Sequence, residues 1–385
     1  MIHIFNPEND MALANNTVHY KAPKEIVRMG EDLSVFPAWF ARTGDYVKVE
    51  SAEKIGCFEQ MCDVYGIGVH AQLTSRYVSA EVRPWGWSRV LIKRLEEQGV
   101  EPLSFLSEQA VNEVRRLSGR QMTIDILRQF DGEPMYCGIS KVCVTLDEVK
   151  QFVLQHRKVM LKAPWSGSGR GLVSVDSVDM GENIAGWISR IIRTQGAIMA
   201  EKRCNKVADF AVEFYSDGKG GITYVGLSMF ETDDDGFYKG NHLVSDQWIT
   251  AVIEQYVEPN VLPHTIEKLC GILSHLVGPY YKGYMGVDMM ICIEDNGYCI
   301  HPCVELNLRM NMGVATRLIY DEYVCAGSIG NFVVEHFFKN GEAMEFQQLL
   351  TREHPCRVVD NRLAEGYLPL TPVNDATRFH IYLIV

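Results

Sequence analysis

The chain reads as an α/β (α+β) protein, and three observations point there. β-rich runs such as 159–162, 172–175 and 285–293 alternate with amphipathic segments of helical length. A Gly/Ser loop joins two of those runs, and an Asn-Gly pair sits between two others.

The elements follow in order. A short strand, Ile2 to Phe5, is followed at once by Asn6-Pro7-Glu8-Asn9-Asp10, at the strand end where open α/β sheets carry ligand loops. The same residues also suit a polar, Asx-capped turn. Pro84-Trp-Gly-Trp-Ser88 serves either as a substrate wall or as a packing pin, and two tryptophans in one loop favour packing. Helices are expected over 88–98, 107–130, 145–156, 182–193, 264–276 and 321–338, the third opened by Thr145, Asp147 and Glu148. The run 379–385 reads as a closing strand.

Function enters through 159–175. Val159, Leu161 and Ala163 alternate with Met160 and Lys162, so Lys162 leaves the face opposite the aliphatic side chains. Gly167, Gly169 and Gly171 then let the backbone approach a ligand and offer N–H groups to an anion, for which phosphate is the natural guest. A Walker loop is excluded because Arg170 and Gly171 follow Gly169. A dinucleotide loop opens a helix, whereas this one runs into the β-like Leu172-Val-Ser-Val175. Strand, loop, strand describes a flap.

The second constellation lies between Gly283 and Arg309. With Asn296-Gly297 as a two-residue turn, Asp295 pairs with Tyr298, and counting outward sets Asp288 opposite Glu305, with Asn307 and Arg309 continuing that face. Facing carboxylates about 5 Å apart repel. Mg²⁺ would remove the penalty, since it takes hard oxygen ligands such as Asp288, Glu305 and the Asn307 carbonyl and completes its shell with water and phosphate. Arg309 would then face an anion. Pro302 is the residue able to bulge the strand and disturb this register.

A strand lysine before a glycine-rich flap, a Glu-bearing strand end at Glu201, and a late Asp followed by Glu-x-Asn-x-Arg resemble the ATP-grasp superfamily of carboxylate-amine ligases over residues 111–338. The resemblance implies an ATP-grasp fold behind an N-terminal, pre-ATP-grasp-like α/β domain at 1–110. A first subdomain with the flap would span 111–200, a second with the metal site 201–338, and a C-terminal extension 339–385. It implies that Lys162 and Arg120 hold ATP phosphates beneath a flap of Ser166, Gly167, Ser168, Gly169 and Gly171. Glu201, Lys202 and Cys204 would form the adenine-reading hinge, and Asp209 would bind ribose. Asp288, Glu305 and Asn307 would ligate Mg²⁺, with Mn²⁺ as a substitute, and Arg309 would act with Lys162 in catalysis. Two departures stand out: Arg120 replaces a lysine, and Gly286 stands where some members carry a cation.

Composition agrees with an enzyme of small molecules. The 385 residues, 47% of them apolar, suffice for two or three packed units. A net charge of −12 argues against nucleic acid and anionic membranes as partners. No signal-like or membrane-spanning run is legible, so a cytoplasmic location is expected. The 11 cysteines include no C-x-x-C pair and read as reduced thiols. The segment from Glu231 to Gly236 resembles a calcium loop without its closing Glu, since position twelve is His242. The resemblance thus implies an ATP- and Mg²⁺-dependent ligase that activates a small-molecule carboxylate as an acyl phosphate for an amine or similar nucleophile. A phosphotransferase and a non-catalytic ATP-binding regulator are the alternatives, and a homodimer is compatible with either.

Overall fold

The computed structural model describes residues 1–101, 105–166, 171–232 and 238–385. The N-terminal unit runs β1 (Ile2–Ile4), α1 (Asn9–Asn15), α2 (Lys24–Asp32), β2 (Tyr46–Lys48), α3 (Ala52–Tyr65), β3 (Gln72–Thr74), β4 (Val82–Pro84) and α4 (Arg89–Glu97). Its sheet is parallel, in the order β3-β2-β1-β4, so the ends of β1 and β4 open toward one edge. α4 begins where the sequence places it because the Ser88 hydroxyl accepts the Leu91 N–H at 3.4 Å.

The helical segment expected over 107–130 is two helices, α5 (Glu108–Leu117) and α6 (Gln121–Leu127). The break falls at Ser118-Gly119-Arg120, where Gly119 packs closely against the Trp165 ring and the Arg120 N–H leaves the helix for the Pro164 carbonyl at 3.0 Å. This interruption frees Arg120 to point into the site. β5 (Ser140–Cys143), α7 (Leu146–His156), β6 (Val159–Lys162), β7 (Leu172–Val175), α8 (Gly181–Gln195) and β8 (Ile198–Lys202) follow. Their antiparallel sheet, β5-β8-β6-β7, buries Val149, Phe152, Leu161, Ile188 and Ile198 beneath α7 and α8. β6 and β7 are the two arms of the expected flap, paired from Val159–Val175 to Lys162–Leu172.

The rest of the chain supplies β9 (Asn205–Asp217), β10 (Ile222–Thr232), β11 (Tyr238–Leu243), α9 (Asp246–Ile253), α10 (Val261–Leu276), β12 (Lys282–Glu294), β13 (Gly297–Asn307), α11 (Met312–Tyr323), β14 (Gly330–His336), α12 (Glu342–Glu353), β15 (Arg357–Val359), β16 (Arg362–Glu365), β17 (Tyr367–Pro369) and β18 (Phe379–Ile384). Eight of these strands form one antiparallel sheet in the order β13-β12-β9-β10-β11-β14-β18-β17. Alternation along β9 decides its two faces. Phe210, Val212 and Phe214 are buried in a core with Leu269 and Leu273 of α10, which leaves Asp209, Ala211, Glu213 and Tyr215 on the other side.

Two expectations need correction. The helix placed over 321–338 is instead the end of α11, a connection and then β14. α11 starts earlier because Asn311 caps it, its side chain accepting the Val314 N–H at 2.8 Å. The run Phe332-Val333-Val334 suits a strand and pairs with both β11 and β18. The closing run is a strand, β18, but it lies inside the sheet between β14 and β17. A shared core anchors the N-terminal unit to this part: Trp39 is edge-on to Phe58 and Tyr323, and its indole N–H donates to the Leu370 carbonyl at 2.7 Å. Among the described residues no helix is long and apolar enough to cross a membrane.

β18 also carries a pH-sensitive group. The His380 ring is fully buried, shares hydrogen bonds with the hydroxyls of Tyr367 (2.6 Å) and Thr371 (3.0 Å), and burial pushes its pKa down to about 3. A depressed folded pKa gives stability that is present above the unfolded value and lost as pH falls toward the folded one. Unfolding measured against pH should therefore show His380→Gln losing less stability than the wild type between about pH 6.5 and 3, by a few kcal/mol. Parallel curves would show that His380 charges freely in the fold.

Candidate functional site

The turn between β12 and β13 is one residue earlier than expected. Glu294 pairs with Gly297, so Asp295 and Asn296 form the turn, and the register continues through Ile293–Tyr298 to Met290–His301. Beyond that point β13 bulges around Pro302, adding two residues and restoring Asp288–Glu305 as direct partners. The two displacements cancel. The predicted pair is real, although the turn and the even alternation used to infer it are not.

The pair is joined by a carboxylate that the sequence reading missed. On β9, Ala211 is opposite Asp288 and Glu213 opposite Gly286, so Glu213 lies on the same face as Asp288. Glu213 is completely buried, accepts hydrogen bonds from Ser228 Oγ (2.8 Å) and Asn311 Nδ2 (3.0 Å), and burial pushes it up to about 7. Asp288, half-buried on the same face, is pushed well above the carboxylate range, first by desolvation and then by Glu305 and Glu213. Gly286 now has a physical reason. A Cβ there would collide with the Glu213 carboxylate and the Asn311 amide, so Glu213 fills the space that a side chain at 286 would need.

Asn307 donates to Asp288 Oδ2 at 2.9 Å while its carbonyl oxygen accepts from Arg309 at 3.2 Å. Its amide must therefore turn over for the carbonyl to ligate a cation beside Asp288. Arg309 forms a two-pronged pair with Asp10, at 2.8 and 2.7 Å. Burial opposes its charge, but Asp10, Glu305 and Asp288 more than offset this and hold the guanidinium above its ordinary value. The segment after β1 thus reaches the site through Asp10, in the first turn of α1. Asn6 of the same segment is a structural tie, exchanging hydrogen bonds with the Gly86 backbone at 2.9 and 3.3 Å.

The two cations come from β6 and from the break between α5 and α6. Lys162 is buried at the end of β6, with its ammonium 2.7 Å from Glu201 on β8 and 3.4 Å from the Val304 carbonyl. Arg120 is 5% exposed and donates from Nη2 to both carboxylate oxygens of Glu305, at 2.9 and 3.0 Å, while also donating to the Ala163 carbonyl and to Ser166. Asn9, Asp10, Trp165, Ser166, Glu305 and Arg309 line one small cavity, so parts of the N-terminal unit, the flap base and β13 meet there. Gly171 closes the far arm, its carbonyl accepting the Ala163 N–H at 2.9 Å. Gly167, Ser168 and Gly169 of the expected flap lie outside the described residues, as do 233–237 of the calcium-like segment.

The residues expected at the hinge separate by their contacts. The Glu201 side chain is committed to Lys162, and Lys202 pairs with Glu294 at 2.6 Å. Asp209 is bound by Lys206 and by Thr232 Oγ1 at 3.1 Å. Cys204 lies with Cys137 and Cys292, three thiols whose sulfurs are all within 4.8 Å of one another. Nothing in the spacing of these cysteines in sequence announces the grouping.

The donor set fits Mg²⁺. Asp288, Glu305 and Glu213 are hard oxygen donors on one face, Glu213 completely buried, with Glu213 and Asp288 both pushed up by desolvation.

No family model matches the chain. Similar solved structures include a biotin carboxylase from Campylobacter jejuni, described as a complex with beta-gamma-ATP. It is 11% identical, with a TM-score of 0.54 over 100% of this chain and 86% of that one. An N5-carboxyaminoimidazole ribonucleotide synthetase from Thermus thermophilus is 11% identical, with a TM-score of 0.48 over 100% and 94%. A D-alanyl-alanine synthetase A from Vibrio cholerae is 13% identical, with a TM-score of 0.41 over 72% and 92%. Of the three, only the first has a TM-score above 0.5. With the flap arms, the cross-strand carboxylates and the buried cations in one place, that likeness gives the chain's architecture its name: an α/β protein of ATP-grasp fold.

Proposed function

We propose that the protein is an ATP- and Mg²⁺-dependent ligase that activates a carboxylate as an acyl phosphate and passes the acyl group to an amine or similar nucleophile. The observation that carries this reading is the convergence of Lys162 and Arg120 from one side with Asp288, Glu305 and Arg309 from the other. Phosphoryl transfer needs positioning and charge neutralisation more than covalent help from the protein, and these groups supply both.

In this reading Lys162 keeps one N–H on Glu201 and offers the others to phosphate, while Arg120 turns its fork from Glu305 to a phosphate oxygen. Asp288 and Glu305 would hold Mg²⁺, with Glu213 adding negative charge behind them, and the ion would neutralise the phosphates when bound. A substrate carboxylate oxygen attacks the γ-phosphorus, the bond to the bridging oxygen breaks, and ADP departs. The nucleophile then attacks the acyl carbon, the bond to phosphate breaks, and the amine proton leaves. Arg309, oriented by Asp10, faces the charge that develops. The segment 166–171 would cover the phosphates and exclude water, and Glu201 to Cys204 with Asp209 would border the nucleoside. The working parts of this enzyme would be 1–110 for substrate, 111–200 and 201–338 for nucleotide and metal, and 339–385 as an extension.

A cavity of about 240 Å³, reaching Met310 next to Arg309 in sequence, is the proposed substrate pocket, with walls that include Phe40, Arg83, Trp85, Trp87, Tyr284 and Met310. Its aromatic faces suit a flat or apolar body, and Arg83 suits an anion. Trp85 also packs edge-on to Phe5 at 5.0 Å, so it serves structure as well.

Incubation with MgATP and a metabolite extract, followed by mass spectrometry, tests the reading. ADP, free phosphate and a new condensed product are expected. A stable phosphorylated product without free phosphate would replace the ligase by a phosphotransferase, and bound but unconsumed ATP would replace it by a regulator.

A further inference from the structure

A second cluster lies away from the carboxylates. Cys137, on the segment before β5, Cys204, between β8 and β9, and Cys292, on β12, bring their sulfurs within 4.8 Å of one another. The tertiary structure fixes each of them separately. The Cys137 N–H donates to the Ile300 carbonyl at 2.9 Å and the Ile300 N–H to the Met135 carbonyl at 3.0 Å, which lays 135–137 along β13. Cys204 is set by the turn into β9, where Asn205 pairs with Ile293. Cys292 is buried and paired with Cys299 across the hairpin.

Two further donors stand on the same face. Cys299 is opposite Cys292, and its thiol also interacts with Cys137. His301, two residues along β13, is 0% exposed, and among the described residues neither ring nitrogen has a hydrogen-bond partner. A wholly buried imidazole without a partner is costly. Its ring lies against Gly138, next to Cys137, and is close enough to Cys204 for their charges to interact.

We propose that Cys137, Cys204 and Cys292 form a structural site for a soft divalent cation of the Zn²⁺ type, completed by His301 or Cys299. A tetrahedral zinc–thiolate site, with Zn–S bonds of about 2.3 Å, holds its sulfurs roughly 3.8 Å apart, so the cluster needs only a small contraction. Soft sulfur ligands separate this site from the oxygen-lined one around Asp288, about 13 Å away along β12 at roughly 3.3 Å per residue. A metal here would tie the β8–β9 connection to β12 and to the entry of β5, pinning the two sheets where they meet. The site does not depend on the ATP reading.

The test uses the purified full-length chain, stripped of metal under reducing conditions. Titration with Zn²⁺ alone, against a chromophoric chelator, should give about one tight site per chain that excess Mg²⁺ does not displace, and Co²⁺ should produce thiolate charge-transfer absorption with tetrahedral bands. Cys204→Ser and Cys292→Ser should each weaken Zn²⁺ more than the roughly 10–100-fold typical of losing an outer-shell partner. Cys57→Ser, at an exposed thiol, should bind like the wild type. His301→Ala and Cys299→Ser, compared in the same assay, identify the fourth ligand. Lack of Co²⁺–thiolate absorption in the folded wild type would overturn the proposal even if a serine variant failed to fold. So would Zn²⁺ affinity unchanged in Cys204→Ser, or a disulfide within the trio that persists in the reduced cell extract.

Discussion

Asp288→Asn is expected to fold as the wild type does and to bind MgATP about 100-fold more weakly, a loss of roughly 2.8 kcal/mol at about 1.4 kcal/mol per tenfold. The asymmetry follows from the environment of Asp288. Its carboxyl is half-buried and pushed well above its ordinary range by desolvation and by two neighbouring carboxylates, so its negative charge is disfavoured without a cation. Asparagine has nearly the same shape, still accepts the Asn307 amide and carries no charge to bury. What it lacks is the anionic oxygen that a hard cation requires. Thermal unfolding should be unchanged while calorimetric MgATP affinity falls; equal affinity in both proteins would remove the cross-strand metal site. Glu305→Gln is a less clean probe, because it also takes from Arg120, a 5% exposed residue, the carboxylate whose two oxygens its Nη2 reaches.

Arg309→Lys is expected to slow ADP release in the presence of substrates by about 10²–10³-fold while changing MgATP affinity only a few-fold. Lysine keeps the charge and loses the fork. In the wild type the guanidinium bonds Asp10 through two nitrogens and Asn307 through one, so it is held from both the N-terminal unit and β13. An ammonium cannot hold that orientation toward a transferring group. Steady-state rates at saturating ATP separate the two effects, and an unchanged kcat would place Arg309 outside the chemistry.

Local features of the sequence carried much of this arrangement. The alternation from Val159 to Lys162, and its resumption at Leu172, is enough to indicate two strands and an intervening loop, and β6 and β7 pair as that pattern requires. Asp288 and Glu305 face each other as expected, yet through a compensation that no propensity reveals: the turn sits at Asp295-Asn296, and the bulge at Pro302 restores the register. Glu213 was legible in principle, since it falls on the face of Asp209 and Ala211, but its partners Ser228 and Asn311 are distant in sequence. Asp10 and Arg309 are 299 residues apart, and only the fold brings them together. The cysteine trio was hidden for the same reason, because Cys137, Cys204 and Cys292 belong to three separate segments. The helix expected at 321–338 went wrong through its start: Asn311 moves the cap upstream, and pairing of 330–336 with two neighbours outweighs local helical character.

The most direct test of the central claim is calorimetric titration of MgATP into the wild type and Lys162→Ala. Lys162 is buried at the end of β6, with its ammonium on Glu201 and beside the strand that carries Glu305. Saturable binding to the wild type that is lost in a folded Lys162→Ala protein is the predicted result; no binding to the folded wild type, or equal binding to both, would contradict an ATP site at this place.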